Sequence, residues 1–328
     1  MKSRDLGKGG FKVSEVGLGC WQLGGDWGDS ITKDAAFAIM KEAVGQGITF
    51  FDTANVYGAG QSERVIGEFI KQTEQPIKVA TKFGRGSDVF PNHYSEKALR
   101  TSVDESTRRL GVNTLDVLQL HCIPTDVLRK GEVFNWLRKL KEDGMIKEFG
   151  ASVETVEEGL LCLEQEGLLS LQVIFNLYRQ KLLDVLLPAA KRLGVGIIVR
   201  LPLASGLLTG KFSKKTRFPE NDHRNYNQNG EAFNVGETFA GLPFEKGIEL
   251  TETIKNDFLP ANMTMTQLAL RWILDHDAVS CIIPGASSPQ QVKLNADVSN
   301  MDPLPIELHK KLRAFYTREV HDSIRGAY

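Results

Sequence analysis

No stretch of the 328 residues approaches twenty consecutive apolar side chains, which excludes a membrane-spanning helix from expectation. Neither sign of charge prevails: 40 Lys and Arg stand against 41 Asp and Glu, a net charge of −1. That balance gives no reason to expect a nucleic acid or an anionic membrane surface as partner. Cysteine is scarce. Cys20, Cys122, Cys162 and Cys281 lack the spacing of a metal site and read as buried free thiols of a reducing compartment. The first residues, Met1 to Asp5, contain no apolar stretch of the kind that directs secretion, so a cytoplasmic protein is expected. A glycine-rich dinucleotide turn is missing too: Gly17-Leu18-Gly19 follows an early strand but has no third glycine and opens no helix.

The chain does contain strict alternation. After a short hairpin around residues 11 to 14 with Gly9-Gly10 as its turn, short apolar runs alternate with segments of helical spacing. Strands are expected at Val16 to Cys20, Ile48 to Phe51, 77–82, Leu115 to His121, Ile146 to Ser152, Ser170 to Phe175, Gly196 to Arg200 and Ala278 to Pro284. Helices are expected between them, among them Asp34 to Gly47, a helix from about Ser62 to Lys71, Ser95 to Leu110 and Pro289 to Val298. Eight β/α units in one chain of this length fit an α/β fold of the (β/α)₈ TIM barrel type, with an N-terminal hairpin and a C-terminal helix near residues 305–317. A doubly wound open sheet is the alternative, weakened by the missing phosphate turn. The chain reads as one domain over residues 1–328. One long connection, residues 211–246, is rich in Asn, Gly and charge, as lids over active sites often are.

Chemistry gathers at three strand ends. Asp52 follows the apolar run Ile48 to Phe51, Lys82 ends the next strand and His121 the one after, while Tyr57 lies in the loop after Asp52. In a barrel those ends converge. A phenol titrates near 10; a neighbouring lysine lowers that value, and a carboxylate behind the lysine keeps it charged. A histidine can then orient a carbonyl or stabilise the alkoxide. The set suits protonation of an oxygen while hydride arrives at carbon. No serine or cysteine is paired with a base for acyl transfer.

The segments FDTANVYG, VATKFG and LQLHCI resemble the catalytic motifs of the aldo-keto reductase superfamily, nearer the branch that includes potassium channel β subunits. The resemblance extends through Gly150-Ala151-Ser152, Gln172, residues 200–211 and residues 283–291. It implies an NADP(H)-dependent oxidoreductase acting on the carbonyl of a small molecule, with Tyr57 as proton donor, Lys82 and Asp52 tuning it, and His121 orienting the carbonyl. It places Ser152 and Gln172 at the nicotinamide carboxamide, Pro202, Leu203, Ser205, Gly206, Leu208 and Lys211 along the pyrophosphate, and Ser287, Gln291 and Asn295 at the adenosine. Arg200 stands where the family commonly stacks an aromatic on the nicotinamide, and its charge would favour the reduced, neutral ring. Val153 replaces a common asparagine, and neither 287 nor 291 carries a cation for a 2′-phosphate. The plain structural role of Ser287 would be an N-cap, and that of Lys211 a solvated loop lysine. Trp21, Trp27 and Phe90 suggest an aromatic-lined substrate pocket, and Arg85 an anionic substrate group or an exposed loop position. Two other readings of the same motifs are a cofactor-sensing regulatory subunit and an aldolase-type lyase using Lys82 as Schiff base.

Overall fold

The computed structural model of the chain describes residues 1–25 and 31–328, so Trp27 lies outside the described residues. A two-stranded antiparallel hairpin, β1 (Ser3–Asp5) and β2 (Lys12–Ser14), comes first. The alternating part follows: β3 (Leu18–Gly19), α1 (Lys33–Gly45), β4 (Phe50–Asp52), α2 (Gln61–Ile70), β5 (Lys78–Phe83), α3 (Glu96–Leu110) and β6 (Leu115–His121). After α4 (Thr125–Lys130) and α5 (Glu132–Glu142) come β7 (Ile146–Ser152), α6 (Val156–Leu163), β8 (Ser170–Ile174), α7 (Leu186–Leu193) and β9 (Gly196–Arg200). The chain ends with α8 (His223–Tyr226), α9 (Phe244–Asp257), α10 (Met265–Leu274), β10 (Val279–Ile282), α11 (Pro289–Asp297) and α12 (Ile306–Phe315).

Strands β3 to β10 pair in parallel, each with its sequence neighbour. The two ends of this sheet meet through bridges Val16↔Ile282 and Gly19↔Gly285. Gly17 N donates to Ile282 O at 2.8 Å and Gly19 N to Pro284 O at 3.1 Å, which closes the barrel. Closure explains both glycines. A Cβ on Gly17 would lie 2.9 Å from Phe50 O, and one on Gly19 2.7 Å from Ile283 O, so a side chain there would force the seam apart.

Side chains on a strand alternate in direction, so residues two apart share a face. Inward-facing positions therefore form layers. The lower layer is apolar: Phe50, Ala80, Val117, Ile198 and Cys281 pack with Leu6 and Val13 from the hairpin, which plugs that end. Two residues further along the same strands stand Asp52, Lys82, Gln119 and Arg200, so the upper layer is polar. The outward faces (Leu118, Leu120, Ala151, Leu171, Val199) join the helices in one large core.

Several expectations are corrected. Helix α2 begins at Gln61 with Gly60 (φ 83°) as its N-cap, and Ser62 and Glu63 are buried inside its first turn. Ser62 instead donates to Cys20 O at 2.8 Å, and Glu63 accepts from Arg109 Nε at 2.6 Å. The cap of α11 is Ser288, whose hydroxyl accepts from Gln291 N, so Ser287 lies one residue outside it. Helices α4, α8 and α9 have no counterpart among the elements expected from the sequence. Four buried, free cysteines agree with expectation. No helix of the described residues is long and apolar enough to cross a membrane.

Candidate active site

The polar upper layer of the barrel opens into a cleft of about 890 Å³. Beneath its floor Lys82, almost fully buried, donates from Nζ to Asp52 Oδ1 at 2.5 Å, to Thr53 O at 2.7 Å and to the Tyr57 hydroxyl at 3.3 Å. Asp52 Oδ2 accepts from Gln119 Nε2 at 2.9 Å and from Gln172 Nε2 at 2.7 Å. Every acceptor oxygen of this buried carboxylate is thus engaged, and Gln172 uses its amide there. Lys82 does not reach the cleft itself; Tyr57 and His121 do, with ring centroids 5.9 Å apart and edge to face.

Burial and charge compete at each group. Burial penalises the Lys82 cation, but Asp52 and Tyr57 more than offset this and its pKa is raised above the ordinary lysine value. Tyr57 goes the opposite way from the sequence expectation. Burial pushes its hydroxyl up to about 12, outweighing the pull of the Lys82 ammonium, whose charge Asp52 already balances. Burial, then the cations Lys82, Arg85 and Arg200, hold His121 well below the usual imidazole range, so it is neutral at pH 7. Its Nδ1 is buried without a hydrogen-bond partner among the described residues, which leaves Nε2 as the nitrogen open to a ligand.

Beside His121 lies a cluster the sequence did not disclose. Arg200 Nη1 meets Glu237 Oε1 at 3.3 Å, and Arg85 Nη2 meets Glu154 Oε1 at 3.3 Å. Donor atoms of Cys122, Glu154 and Glu237 come within 4.8 Å of one another. Burial and the proximity of Glu237 raise Glu154 to about 7. Glu237 arrives from the 211–246 segment, which is folded against the cleft. Within that segment Asp222 caps α8, and Asn227 accepts from Ala232 N and Phe233 N at 2.9 Å each. Arg325 straps it from outside, donating to Asn229 Oδ1 at 3.0 Å and Gln228 O at 3.2 Å.

The remaining sequence-derived positions divide clearly. Arg200, Pro202, Leu203, Ser205, Gly206, Lys211, Ser287, Gln291 and Asn295 line the cleft, which runs from Tyr57 to the N-terminal end of α11. Ala204 and Ser205 have φ of 47° and 52°, a sharp backbone turn at the cleft wall. Ser152 is buried with Oγ 3.5 Å from Cys122 Sγ, and the Leu208 side chain is fully buried in the core; neither side chain lines the cleft. Trp21 stacks on Tyr57 with centroids 5.7 Å apart, and Phe90, also in the cleft lining, lies under Arg85. Gln119 could have been found from sequence, because it precedes His121 by two on one strand. Glu237, in an irregular loop, carried no periodic signal.

Known proteins share this sequence pattern and fold. Residues 15–317 match the model of the Aldo/keto reductase family. A probable aldo-keto reductase of Glycine max is 30% identical over 294 residues, covering 88% of this chain and 82% of its own. L-galactose dehydrogenase of Arabidopsis thaliana is 31% identical over 315 residues, covering 93% and 90%. The glycerol dehydrogenase AKR11B4 from Gluconobacter oxydans superposes with a TM-score of 0.79 at 28% identity, covering 99% of this chain and 98% of its own. The holo form of aldo-keto reductase AKR11C1 from Bacillus halodurans gives 0.78 at 27% identity, covering 100% and 98%. A closed (β/α)₈ barrel with Asp52, Tyr57, Lys82 and His121 at one mouth, matched by a family model over nearly its whole length, makes this chain a member of the aldo-keto reductase family.

Proposed function

We propose that the protein is an NADP(H)-dependent carbonyl reductase in which Tyr57 protonates the carbonyl oxygen of an aldehyde or ketone. The observation that carries the reading is the buried chain Asp52–Lys82–Tyr57, which ends in a hydroxyl at the cleft floor beside a neutral His121. The bound nicotinamide would supply the hydride. Tyr57 holds a proton at neutral pH and can give it to an oxygen that becomes basic as negative charge develops on it. The Lys82 ammonium, fixed by Asp52, stabilises the phenolate left behind. Neutral His121 offers one N–H to the same oxygen, if the proton sits on Nε2. Lys82 is poorly suited to a Schiff base, since Asp52 holds it as the ammonium.

The cleft residues fit a dinucleotide. Lys211 stands at the rim as a cation, Ser205 and Gly206 shape a tight turn, and Ser287, Gln291 and Asn295 offer neutral polar groups beside a helix N-terminus. With no guanidinium at 287 or 291, preference for NADPH over NADH would rest on hydrogen bonds and be modest. NADPH oxidation should follow addition of small aldehydes and ketones, with the matching alcohol formed. Binding of NADPH without turnover of any aldehyde, ketone or sugar in a broad panel would overturn the reading.

A further inference from the structure

Arg85 follows β5 and is neither solvated nor fully spent. Its guanidinium lies 4.9 Å from the centroid of the Phe90 ring, and its side chain is only 18% exposed. Of its five donors, one nitrogen is engaged, Nη2 with Glu154 Oε1 at a long 3.3 Å. Nε and Nη1 have no hydrogen-bond partner among the described residues, and the residue lines the cleft together with Tyr57, His121 and Phe90. It lines the same cleft as His121, and its charge helps hold that imidazole low. An aromatic face under a guanidinium fixes the fork and leaves its edge for a planar, two-oxygen anion.

We propose that Arg85 on its Phe90 platform is an anion-recognising subsite, and that the preferred carbonyl substrate carries a carboxylate a short distance from the aldehyde or ketone carbon. The proposal deepens the carbonyl-reductase reading and rests on it for the identity of the reacting group. Charge in the cluster favours a single negative charge. Arg85 and Arg200 face Glu154 and Glu237, and burial with the proximity of Glu237 raises Glu154 to about 7, so one carboxylate balances the set once Glu154 takes up a proton, whereas a dianion would exceed it.

The test compares 4-carboxybenzaldehyde with its methyl ester, which has the same ring and carbonyl but no charge. In the wild type kcat/KM should favour the acid by about tenfold or more. Arg85→Gln should lower the value for the acid by about 10- to 100-fold, the scale of a charge-assisted pair, and leave the ester within about threefold. Arg85→Lys should restore part of the loss, because a point charge lacks the fork. Equal losses for acid and ester would mean that Arg85 only supports the fold and would overturn the subsite. So would a wild type indifferent to the charge. Calorimetric binding of the acid to the protein–NADP⁺ complex separates the two readings. Binding that depends on Arg85 without any turnover keeps the subsite and sinks the reductase; turnover of the ester without Arg85-dependent binding of the acid does the reverse.

Discussion

At Tyr57 the decisive quantity is the balance between burial and the Lys82 charge, and burial wins. The result is an acid that keeps its proton until an oxygen beside it becomes strongly basic. The same force acts on three histidines. His121 is held neutral, burial takes His223 down to about 3, and burial followed by the neighbouring His309 takes His276 down to about 4. In the unfolded chain each would titrate near 6.5. Below that pH the unfolded state therefore binds more protons than the folded one, so stability is complete above pH 6.5 and is lost as pH falls towards 4 and 3. Each histidine can contribute a slope of up to about 1.4 kcal/mol per pH unit inside that window. The melting temperature should drop steadily between pH 6.5 and 4.5. A flat melting profile over that range would show that these rings are already protonated in the fold.

Among the elements, the Arg200–Glu237 ion pair links β9 to the 211–246 segment. From sequence alone Arg200 should repel the positively charged oxidised nicotinamide. In the structure Glu237 pairs with Arg200 and would offset that bias, and neither its identity nor its position could be foreseen, since the loop that delivers it has no periodicity. The strand ends themselves were legible: β6, β7 and β9 have the bounds read from their apolar runs. Helix α4 was not, because six residues are too few to show a helical period. Helix α9 was hidden by the polar segment that leads into it, although its buried face (Gly247, Ile248, Thr251, Ile254) has helical spacing. Glu237→Gln should uncover the Arg200 charge and weaken NADP⁺ relative to NADPH by about fivefold, corresponding to roughly 1 kcal/mol of repulsion. Dissociation constants for both cofactor forms in wild type and variant measure this, and an unchanged ratio would place Arg200 away from the ring.

Across the whole molecule, one end of the barrel is stabilising and the other chemical. The hairpin and the apolar layer of Phe50, Ala80, Val117 and Ile198 close the lower end, and the seam at Gly17 and Gly19 completes the ring. Above them the same strands, two residues later, carry Asp52, Lys82, Gln119 and Arg200. That division was readable because strand alternation converts a polar residue after an apolar run into an inward-facing group at the barrel mouth. What could not be read was how the mouth is covered, since the contacts of Glu237 and Arg325 join segments distant in sequence. The most direct measurement is the rate of hydride transfer from NADPH to an aldehyde in Tyr57→Phe, taken together with the NADPH dissociation constant. The account predicts a fall in turnover of about 100-fold or more with cofactor affinity within about twofold, because only the proton donor is lost. Turnover within a few-fold of wild type would contradict it.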